Sequence, residues 1–369
     1  MGGLSEIESG GHQLNNNLDL VAENIKDLQI YRIVMKIKAY GIKEEGGKAE
    51  PFYYERNVGD HEVRVKITYC AIARGDVQFI SNDWGDTKFP LVPGHEIVGI
   101  VEETGSNVTV LKVGDRVGVG YQQDACFECE FCKAGNEQFC IQQKVIGVDC
   151  YGGLAEHIVV DSRFAFKLPP ALHPVNSVPL LSSGLTVYSG IVNAQLPANS
   201  VVGVLGAGGL GQLAIQFLNK MGHEVYAFSH SPEKKEMINK LRAEFILSSN
   251  PDSLSTLNKQ FDFIISTLNV PYDLDAFLKI LKPQGKFCVV ASPLEKQPIA
   301  LGLLYDYAQR TIYGNYVGSR KNMIDMLDFS AKHHIESAVE VMPFSKMNEA
   351  IEKVRTGEVK IRLILENQE

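Results

Sequence analysis

The sequence lacks most of the features that would mark a special environment. It contains one tryptophan among 369 residues, and its apolar residues form no run long enough to span a membrane. Acidic residues outnumber Lys and Arg by 44 to 36, so a chain of net charge −8 gains little from neutralising phosphates, and nucleic acid is excluded as the main partner. Residues 1–35 have neither the apolar stretch of a signal peptide nor the composition of a transit peptide. We therefore expect a cytoplasmic protein with no membrane partner.

Cysteine is also scarce, with seven residues, and the odd number argues against a disulfide framework. Four of the seven, Cys126, Cys129, Cys132 and Cys140, fall within fifteen residues. In a large chain without secretory features, such clustering indicates metal binding. Four thiolates predict a closed, tetrahedral zinc site that stabilises a lobe and takes no part in chemistry. Free structural cysteines and a redox switch are the alternatives.

The length suggests two domains, and the pattern of apolar residues changes along the chain. Residues 36–183 contain short alternating runs separated by Gly, Asp and Pro, which predict β structure. Residues 184–317 alternate apolar strand-like runs with helical stretches, which predicts a doubly wound parallel sheet. Residues 318–369 are expected to return to the first domain.

Residues 1–35 are predicted to be a partly ordered N-terminal extension. Four apolar residues recur there at helical spacing, namely Leu18, Val21, Ile25 and Leu28. Two interpretations stay open: a tail, or a short helix that docks on a partner or on the chain itself.

A glycine-rich loop follows the strand-like run 201–205 and precedes a helical stretch. It has the pattern G-x-G-x-x-G and consists of Gly206, Ala207, Gly208, Gly209, Leu210 and Gly211. The first glycine permits a tight turn, the second lets the backbone approach a pyrophosphate, and the last allows close packing of helix on strand. The helix N-terminus favours the anion. In this context the motif predicts a dinucleotide site.

The end of the next strand indicates which dinucleotide binds. An NAD site usually has an acidic residue there for the ribose 2′-hydroxyl, whereas this chain has Ser229, His230, Ser231 and Lys234. Hydroxyl groups and a cation suit a 2′-phosphate, and His230 could lie over the adenine or face solvent. The sequence therefore favours NADP(H).

Together these features resemble the zinc-containing medium-chain dehydrogenase/reductases, most closely the cinnamyl-alcohol-dehydrogenase-like branch. The resemblance runs from about Lys36 to Leu365. It rests on the loop, the four cysteines and the motifs Pro93-Gly94-His95-Glu96, Val113-Gly114-Asp115-Arg116-Val117, Pro179-Leu180-Leu181 and Gly184-Leu185-Thr186-Val187-Tyr188-Ser189.

The resemblance implies an α/β protein with two domains. A GroES-like β-rich domain would comprise residues 36–183 and 318–369, and a Rossmann domain with a doubly wound parallel sheet would comprise residues 184–317. It further implies an NADP-dependent oxidoreductase with a small-molecule substrate in the cleft between the domains, and a homodimer. The additional residues expected at the cofactor are Thr186, Thr267 and Arg362.

The departures from the family pattern concern the catalytic zinc. The family holds this zinc with two cysteines and the His of Gly-His-Glu, but the cysteine positions here are Ala73 and Ser182, which leaves His95 and Glu96. Alanine offers no lone pair and a neutral serine is a poor ligand, so we expect no tightly held catalytic zinc and one structural zinc per chain. The family's proton-relay positions correspond to Gly75 and Gln78, with Asp83 a further acidic candidate.

We therefore expect an NADP(H)-dependent reductase that transfers hydride to an activated C=C, iminium or aldehyde group without a catalytic zinc. The candidate hydrogen-bond donors are His95, which Glu96 could orient, and Ser182, Tyr121 and Arg74. Two alternatives remain. One is a non-catalytic NADP(H)-binding sensor or scaffold, and the other is a conventional zinc alcohol dehydrogenase with Cys70 or Cys150 as a substitute ligand.

Overall fold

The structure, a computed structural model, describes residues 35–249, 253–254, 257, 260–359 and 361–367. Residues 18–28, for which the tail and the short helix both stay open, lie outside the described residues. The strands in chain order are β1 (Lys36–Ile42), β2 (Ala49–Glu55), β3 (Glu62–Ile72), β4 (Ile97–Thr104), β5 (Arg116–Val119), β6 (Gln122–Asp124), β7 (Lys144–Val145), β8 (His157–Asp161), β9 (Ala165–Lys167), β10 (Val201–Leu205), β11 (Glu224–Ser229), β12 (Glu244–Leu247), β13 (Phe261–Ser266), β14 (Leu281–Val289), β15 (Thr311–Gly314), β16 (Val339–Pro343) and β17 (Arg362–Glu366).

The α-helices of the described residues range from 4 to 14 residues in length. In chain order they are α1 (Arg74–Ile80), α2 (Glu130–Lys133), α3 (Pro174–Ser177), α4 (Ser183–Asn193), α5 (Gly209–Lys220), α6 (Lys235–Lys240), α7 (Leu274–Lys279), α8 (Gly302–Tyr305), α9 (Arg320–His333) and α10 (Met347–Thr356). Short 3-10 helices lie at Glu137–Phe139, Ser162–Phe164, Val178–Leu181, Pro232–Lys234 and Phe344–Lys346.

The β-rich part of the chain is organised around β3. In this strand Val63, Val65 and Ile67 are buried and alternate with more exposed residues, as expected for a strand with one face on a core. The strand pairs antiparallel with β4, β8 and β17. Because β17 comes from the end of the chain, residues after 317 return to the first sheet, where Leu365 lies opposite Cys70.

Six strands from the middle of the chain form the parallel sheet that the sequence predicts. Their order in the sheet is β12-β11-β10-β13-β14-β15. The order reverses on the two sides of β10, and ligands bind at the carboxyl ends of strands at such a switch point. The α/β fold with a GroES-like part and a Rossmann sheet is thus confirmed. The division of the chain at 183/184 and 317/318 stays a prediction.

Helix α4 connects the two sheets and carries several candidate site residues. Its Tyr188 ring packs edge-on against Phe217 of α5 at 5.3 Å between centroids, and lies 6.1 Å from Phe329 of α9. Such aromatic packing fixes the helix, and with it the position of Thr186, relative to the nucleotide-binding sheet.

No single helix among the described residues is both long and apolar enough to cross a membrane. The bent pair Pro174–Leu181 and Ser183–Asn193, which meet at 54°, has the required length and composition when taken together.

Candidate active site and metal centre

The glycine loop has the geometry of a phosphate cradle. Gly206 has a backbone φ of +93°, which residues with a side chain rarely adopt. Its N–H donates to the Phe228 carbonyl at 3.0 Å. A Cβ on Gly211 would overlap the Gly206 carbonyl, so α5 can approach β10 this closely only with glycine there. Nothing lies within 4 Å of a Cβ built on Gly208, the N-cap residue of α5. The loop therefore presents open backbone at a helix N-terminus, where an anion is stabilised.

Two further residues hold the loop in place. The Thr267 hydroxyl donates to the carbonyls of Leu205 and Gly206 at 3.1 and 3.2 Å, which fastens the end of β13 to the turn. The Arg362 guanidinium lies 3.8 Å from the position of a Cβ on Gly209. Both residues thus border the loop, and Leu210 is half-buried within it.

The end of β11 presents hydroxyl groups and a cation and no acid. Ser229 is buried and its Oγ accepts a hydrogen bond from the Ser231 N–H at 3.2 Å. His230 is exposed, and Lys234 ends the following 3-10 helix in a half-buried position. Glu233, the nearest acid, is exposed on that 3-10 helix and does not stand at the strand end.

His95 forms a buried pair with Asp76. The His95 Nδ1 donates to Asp76 Oδ1 at 2.8 Å, and Asp76 also accepts the N–H groups of Ala73 and Gly94, each at 2.8 Å. Burial alone would lower the pKa of His95, but the carboxylates of Asp76 and Glu96 outweigh it and raise that pKa. Burial likewise works against ionised Asp76, and its bonds to His95 and the two N–H groups lower its pKa. The bond uses Nδ1, so Nε2 is the ring nitrogen left for a substrate.

Glu96 does not orient His95, contrary to the sequence-based expectation. Its Oε1 accepts the N–H and hydroxyl of Ser183 at 3.0 and 2.8 Å, and its Oε2 lies 3.6 Å from Arg362 Nε. Arg362 also donates to the Ser183 hydroxyl. The carboxylate therefore ties β4 to α4 and β17, while Asp76 performs the orienting role.

The two positions that hold zinc ligands in the resembled family offer no equivalent here. Ala73 is a buried N-cap of α1 with only a methyl side chain, and Ser182, at the N-cap of α4, makes no capping hydrogen bond with its side chain. The Ser182 hydroxyl is thus not used as a helix cap. A Cβ on Gly75, where the family has a relay hydroxyl, would lie 3.3 Å from the His95 ring.

The two candidate substitute ligands are Cys70, which is buried, and Cys150, which is partly buried. Cys70 is fully buried. Its Sγ packs so close to Gly94 and Gly153 that a Cβ built on either glycine would lie 2.5 or 2.8 Å from the sulfur. Cys150 lies on the loop before Tyr151, and burial raises the pKa of its thiol to about 12. Within the part of the chain that the structure describes, His95 belongs to no group of three or more His, Cys, Asp or Glu side chains whose ligand atoms converge.

Aromatic rings surround His95. The Tyr121 ring meets the His95 ring edge-on at 6.0 Å, stacks on Phe79 at 6.3 Å and meets Tyr316 edge-on at 6.0 Å. Trp84 extends this wall, with its ring 4.8 Å from Phe79, and is half-exposed. Burial raises the pKa of Tyr121, so its hydroxyl stays protonated and able to donate.

Arg74, a candidate donor in the sequence analysis, makes its hydrogen bonds to helix α10. Its exposed guanidinium donates to the carbonyls of Val354 and Arg355 near the end of α10, at 3.4 and 3.1 Å. The contact stabilises a helix C-terminus. The structure does not place Arg74 among the groups bonded around His95, and the predicted relay candidate Asp83 is exposed.

The four clustered cysteines converge on one point. Their Sγ atoms all lie within 4.8 Å of one another, with Cys126 3.5 Å from Cys140 and 3.9 Å from Cys132. Tetrahedral zinc with Zn–S bonds of ~2.3 Å places sulfurs ~3.8 Å apart, so the set fits this ion. The N–H groups of Glu128 and Cys129 point at Cys126 and lower the pKa of its thiol to about 6. Such a thiolate is ready to bind metal.

The sequence-based reasoning missed three residues of the site. Asp76 and Ser183 stand next to motif residues, yet their partners, His95 and Glu96, lie 19 and 87 positions away. Asn315, whose amide donates to the Thr186 carbonyl and the Ser189 hydroxyl, fixes α4 from the end of β15. The available signal for Asp76 was its position as an acidic residue in the first turn of α1.

Comparison with known proteins agrees with this architecture. The family model for the alcohol dehydrogenase GroES-like domain matches residues 59–170, and the model for the zinc-binding dehydrogenase matches residues 209–332. An aldehyde reductase, AdhA, from Synechocystis sp. is 37% identical over 331 residues, which cover 89% of this chain and 98% of that protein. Probable cinnamyl alcohol dehydrogenase 9 of Arabidopsis thaliana is 36% identical over 343 residues, covering 90% and 95%.

Solved structures show the same similarity. A cinnamyl alcohol dehydrogenase, SbCAD4, from Sorghum bicolor superposes with a TM-score of 0.85 and 32% identity, covering 90% of this chain and 98% of that one. The cinnamyl alcohol dehydrogenase of Helicobacter pylori, solved as a complex with NADP(H), has a TM-score of 0.83 and 30% identity, covering 90% and 99%.

Proposed function

The chain belongs to the zinc-containing medium-chain dehydrogenase/reductase family, and on that premise we propose that it is an NADP(H)-dependent reductase that works without a catalytic zinc. Membership makes it an alcohol-dehydrogenase-like oxidoreductase acting on a small molecule. The proposal goes further and names an activated C=C, iminium or aldehyde group as the hydride acceptor. The observation that carries it is an intact His95–Asp76 pair beside Ala73 and Ser182, where two zinc ligands would be needed.

The donor set around His95 does not fit a catalytic zinc. Such a site uses three protein ligands and keeps one open position. Here one imidazole remains, since Glu96 is bonded to Ser183 and paired with Arg362. Metal sites demand tight ligand geometry, and neither Cys70 nor Cys150 supplies it.

The cofactor assignment rests on the loop and on the end of β11. Gly206, Gly208, Gly209, Leu210 and Gly211 would cradle the pyrophosphate, with Arg362 as the nearby cation. Ser229, Ser231 and Lys234 would take the 2′-phosphate, His230 would lie near the adenine, and Thr186 and Thr267 would border the nicotinamide side. The solved relative with bound NADP(H) supports the choice of this cofactor.

The chemistry then depends on a hydrogen-bond donor in place of a Lewis acid. Bound NADPH supplies the hydride. A zinc ion would contribute several kcal/mol of charge stabilisation, and each ~1.4 kcal/mol corresponds to tenfold in rate, so simple alcohols become poor substrates. In a conjugated carbonyl the negative charge spreads into an enolate, for which a donor suffices.

His95 is the donor that the geometry favours. Asp76 accepts Nδ1–H and, with Glu96, raises the pKa of His95, so the imidazolium form offers the substrate oxygen the proton on Nε2. The Ser182 and Tyr121 hydroxyls are the secondary donors. The His95 ring is itself buried, and the low dielectric of a buried site strengthens hydrogen bonds made there.

Three further assignments belong to this proposal. One structural zinc per chain would be held by the four cysteines, whose thiolates stabilise the lobe and take no part in the reaction. A homodimer would use the edge strand β15, beside which Leu301, Tyr305 and Tyr307 are exposed. All seven cysteines are free thiols, which agrees with a reducing cytoplasm.

The test is NADPH oxidation with a panel of enals, enones, iminium ions, aldehydes and saturated ketones. We expect steady turnover with at least one conjugated or iminium substrate, and a clear preference for NADPH over NADH. Tight NADPH binding without turnover of any compound would support the sensor or scaffold alternative. Equal turnover of the saturated ketones, lost on chelation, would support a conventional zinc enzyme.

A further inference from the structure

A second cavity lies in the β-rich part of the chain, apart from the His95 cleft. It has a volume of about 510 Å³ and lies between the end of β2, the segment 88–91 and the loop 144–151. None of its lining residues is bonded to His95, Asp76 or Glu96. Pockets of ~300–1,000 Å³ are the size that small molecules use.

The inner surface of this cavity is aromatic. The rings of Tyr54 and Tyr151 lie 4.8 Å apart, and Tyr151 also packs edge-on against Phe52 at 5.3 Å. The Tyr54 hydroxyl donates to the His157 carbonyl at 3.4 Å, which holds its ring in place. Leu91 and Val159 complete an apolar wall. Such a surface suits a flat ring, which can pack on or against tyrosine at little entropic cost.

Basic side chains outnumber acids among the residues that line the cavity. They are Arg56, Lys88 and Lys144, against Glu55 and Asp149, and Arg56 is paired with Glu62 at 2.5 Å. Lys88 lies 3.3 Å from Asp149, and its side chain is 71% exposed, while Lys144 is 56% exposed and 3.4 Å from an acid outside the cavity. Exposed ion pairs contribute little to stability, so these lysines can exchange their partners for an anionic ligand.

From the aromatic interior and the excess of basic side chains in its lining we infer that this cavity binds a small aromatic molecule carrying one anionic group. The ring would lie against Tyr54 and Tyr151, and the anion would meet Lys88 and Lys144. A carboxylate and a phosphate share the required chemistry.

Two packed aromatic rings, Phe79 and Tyr121, lie between the loop of this cavity and His95. Gly147 on its loop lies so close to Phe79 that a Cβ there would be 2.8 Å from the ring, and Phe79 stacks on Tyr121, which packs on His95. A ligand in the cavity is therefore next to the active-site wall without occupying the active site.

Binding of 1-naphthoate to the full-length protein saturated with NADPH, measured by isothermal titration calorimetry, tests the inference. We expect one site per chain and at least tenfold weaker binding of the neutral 1-naphthamide, which has the same ring. Naphthyl phosphate forms a second arm and distinguishes a phosphate ligand from a carboxylate. Lys88→Gln with Lys144→Gln should weaken naphthoate about tenfold, whereas Lys332→Gln, an exposed lysine on α9, should change nothing.

Two variants locate the site. Val148→Trp fills the cavity from its half-buried loop position and should abolish binding while thermal unfolding stays unchanged. His95→Ala should leave binding intact. The inference is overturned if naphthoate and naphthamide bind equally, if the cavity variants bind normally, or if His95→Ala removes binding.

Discussion

The two regions that the family equips with zinc have diverged in this chain. In the lobe, Cys126, Cys129, Cys132 and Cys140 converge within 4.8 Å and form a complete ligand set. In the cleft, His95 retains its partner Asp76 at 2.8 Å, but Ala73 and Ser182 stand where two further ligands would be required. The lobe thus offers four converging thiols, whereas the cleft offers one imidazole held by a carboxylate.

Under the proposed function, the cleft is a polar site that works without a metal. Asp76 accepts three hydrogen bonds, and Glu96 connects Ser183 and Arg362. Without a metal on Nε2, the same Asp–His arrangement presents a proton donor. The lobe offers no comparable proton donor, because all four of its thiolates would be used to hold the zinc ion that stabilises it.

The largest effect is expected from breaking the lobe. Cys140→Ser replaces a fully buried ligand, so we expect loss of zinc and a fall in the free energy of unfolding on the order of 4 kcal/mol. Zinc content and thermal unfolding report both changes. The matched control is Cys150→Ser, outside the lobe, which should keep zinc and stability; equal damage in the control would contradict the assignment.

Removal of the donor in the cleft should affect rate and leave the fold intact. His95→Ala removes the imidazole and its Nε2 proton donor, so we expect kcat for an accepted conjugated substrate to fall by about 10²–10⁴-fold. NADPH affinity, zinc content and melting temperature should stay near those of the unmodified protein. A decrease of less than threefold would show that His95 only fills the cleft.

The orienting residue should have a smaller effect with a distinct pH signature. Asp76 raises the pKa of His95, so the protonated donor persists above the ordinary value of ~6.5, and activity falls as pH rises through the raised pKa. Asp76→Asn removes the charge, which should move that limb to lower pH and reduce kcat about tenfold near neutrality.

The exposed Asp83 provides a matched control for this variant. Asp83→Asn, in the same segment, should leave the pH profile in place. An unchanged profile in Asp76→Asn, or a shift of the same size in Asp83→Asn, would refute the orienting role.

The smallest effect concerns cofactor choice. Lys234→Ala should raise KM for NADPH by about tenfold and leave KM for NADH unchanged, because one contact to the 2′-phosphate is lost. Lys240→Ala, on the following helix, is the control. A parallel loss for both cofactors would indicate damage to the loop and would argue against 2′-phosphate recognition.

Much of the fold and part of the site were predictable because their signals are local. The spacing of Gly206 and Gly211, and of Cys126 and Cys140, fixes chemistry within a few residues of chain, and the parallel sheet follows from alternating apolar runs. Contacts between distant segments carry no such signal. Glu96 was expected to orient His95, but its carboxylate accepts the N–H and hydroxyl of Ser183, which lies 87 residues later in the chain.

The most direct measurement is zinc per chain in the purified full-length protein, by elemental analysis. The account predicts one zinc in the unmodified protein and none in Cys140→Ser. The double variant Ala73→Cys with Ser182→Cys, which restores the missing ligands beside His95, should bind two. Two zincs in the unmodified protein, with one surviving in Cys140→Ser, would contradict the claim that the cleft works without a catalytic metal.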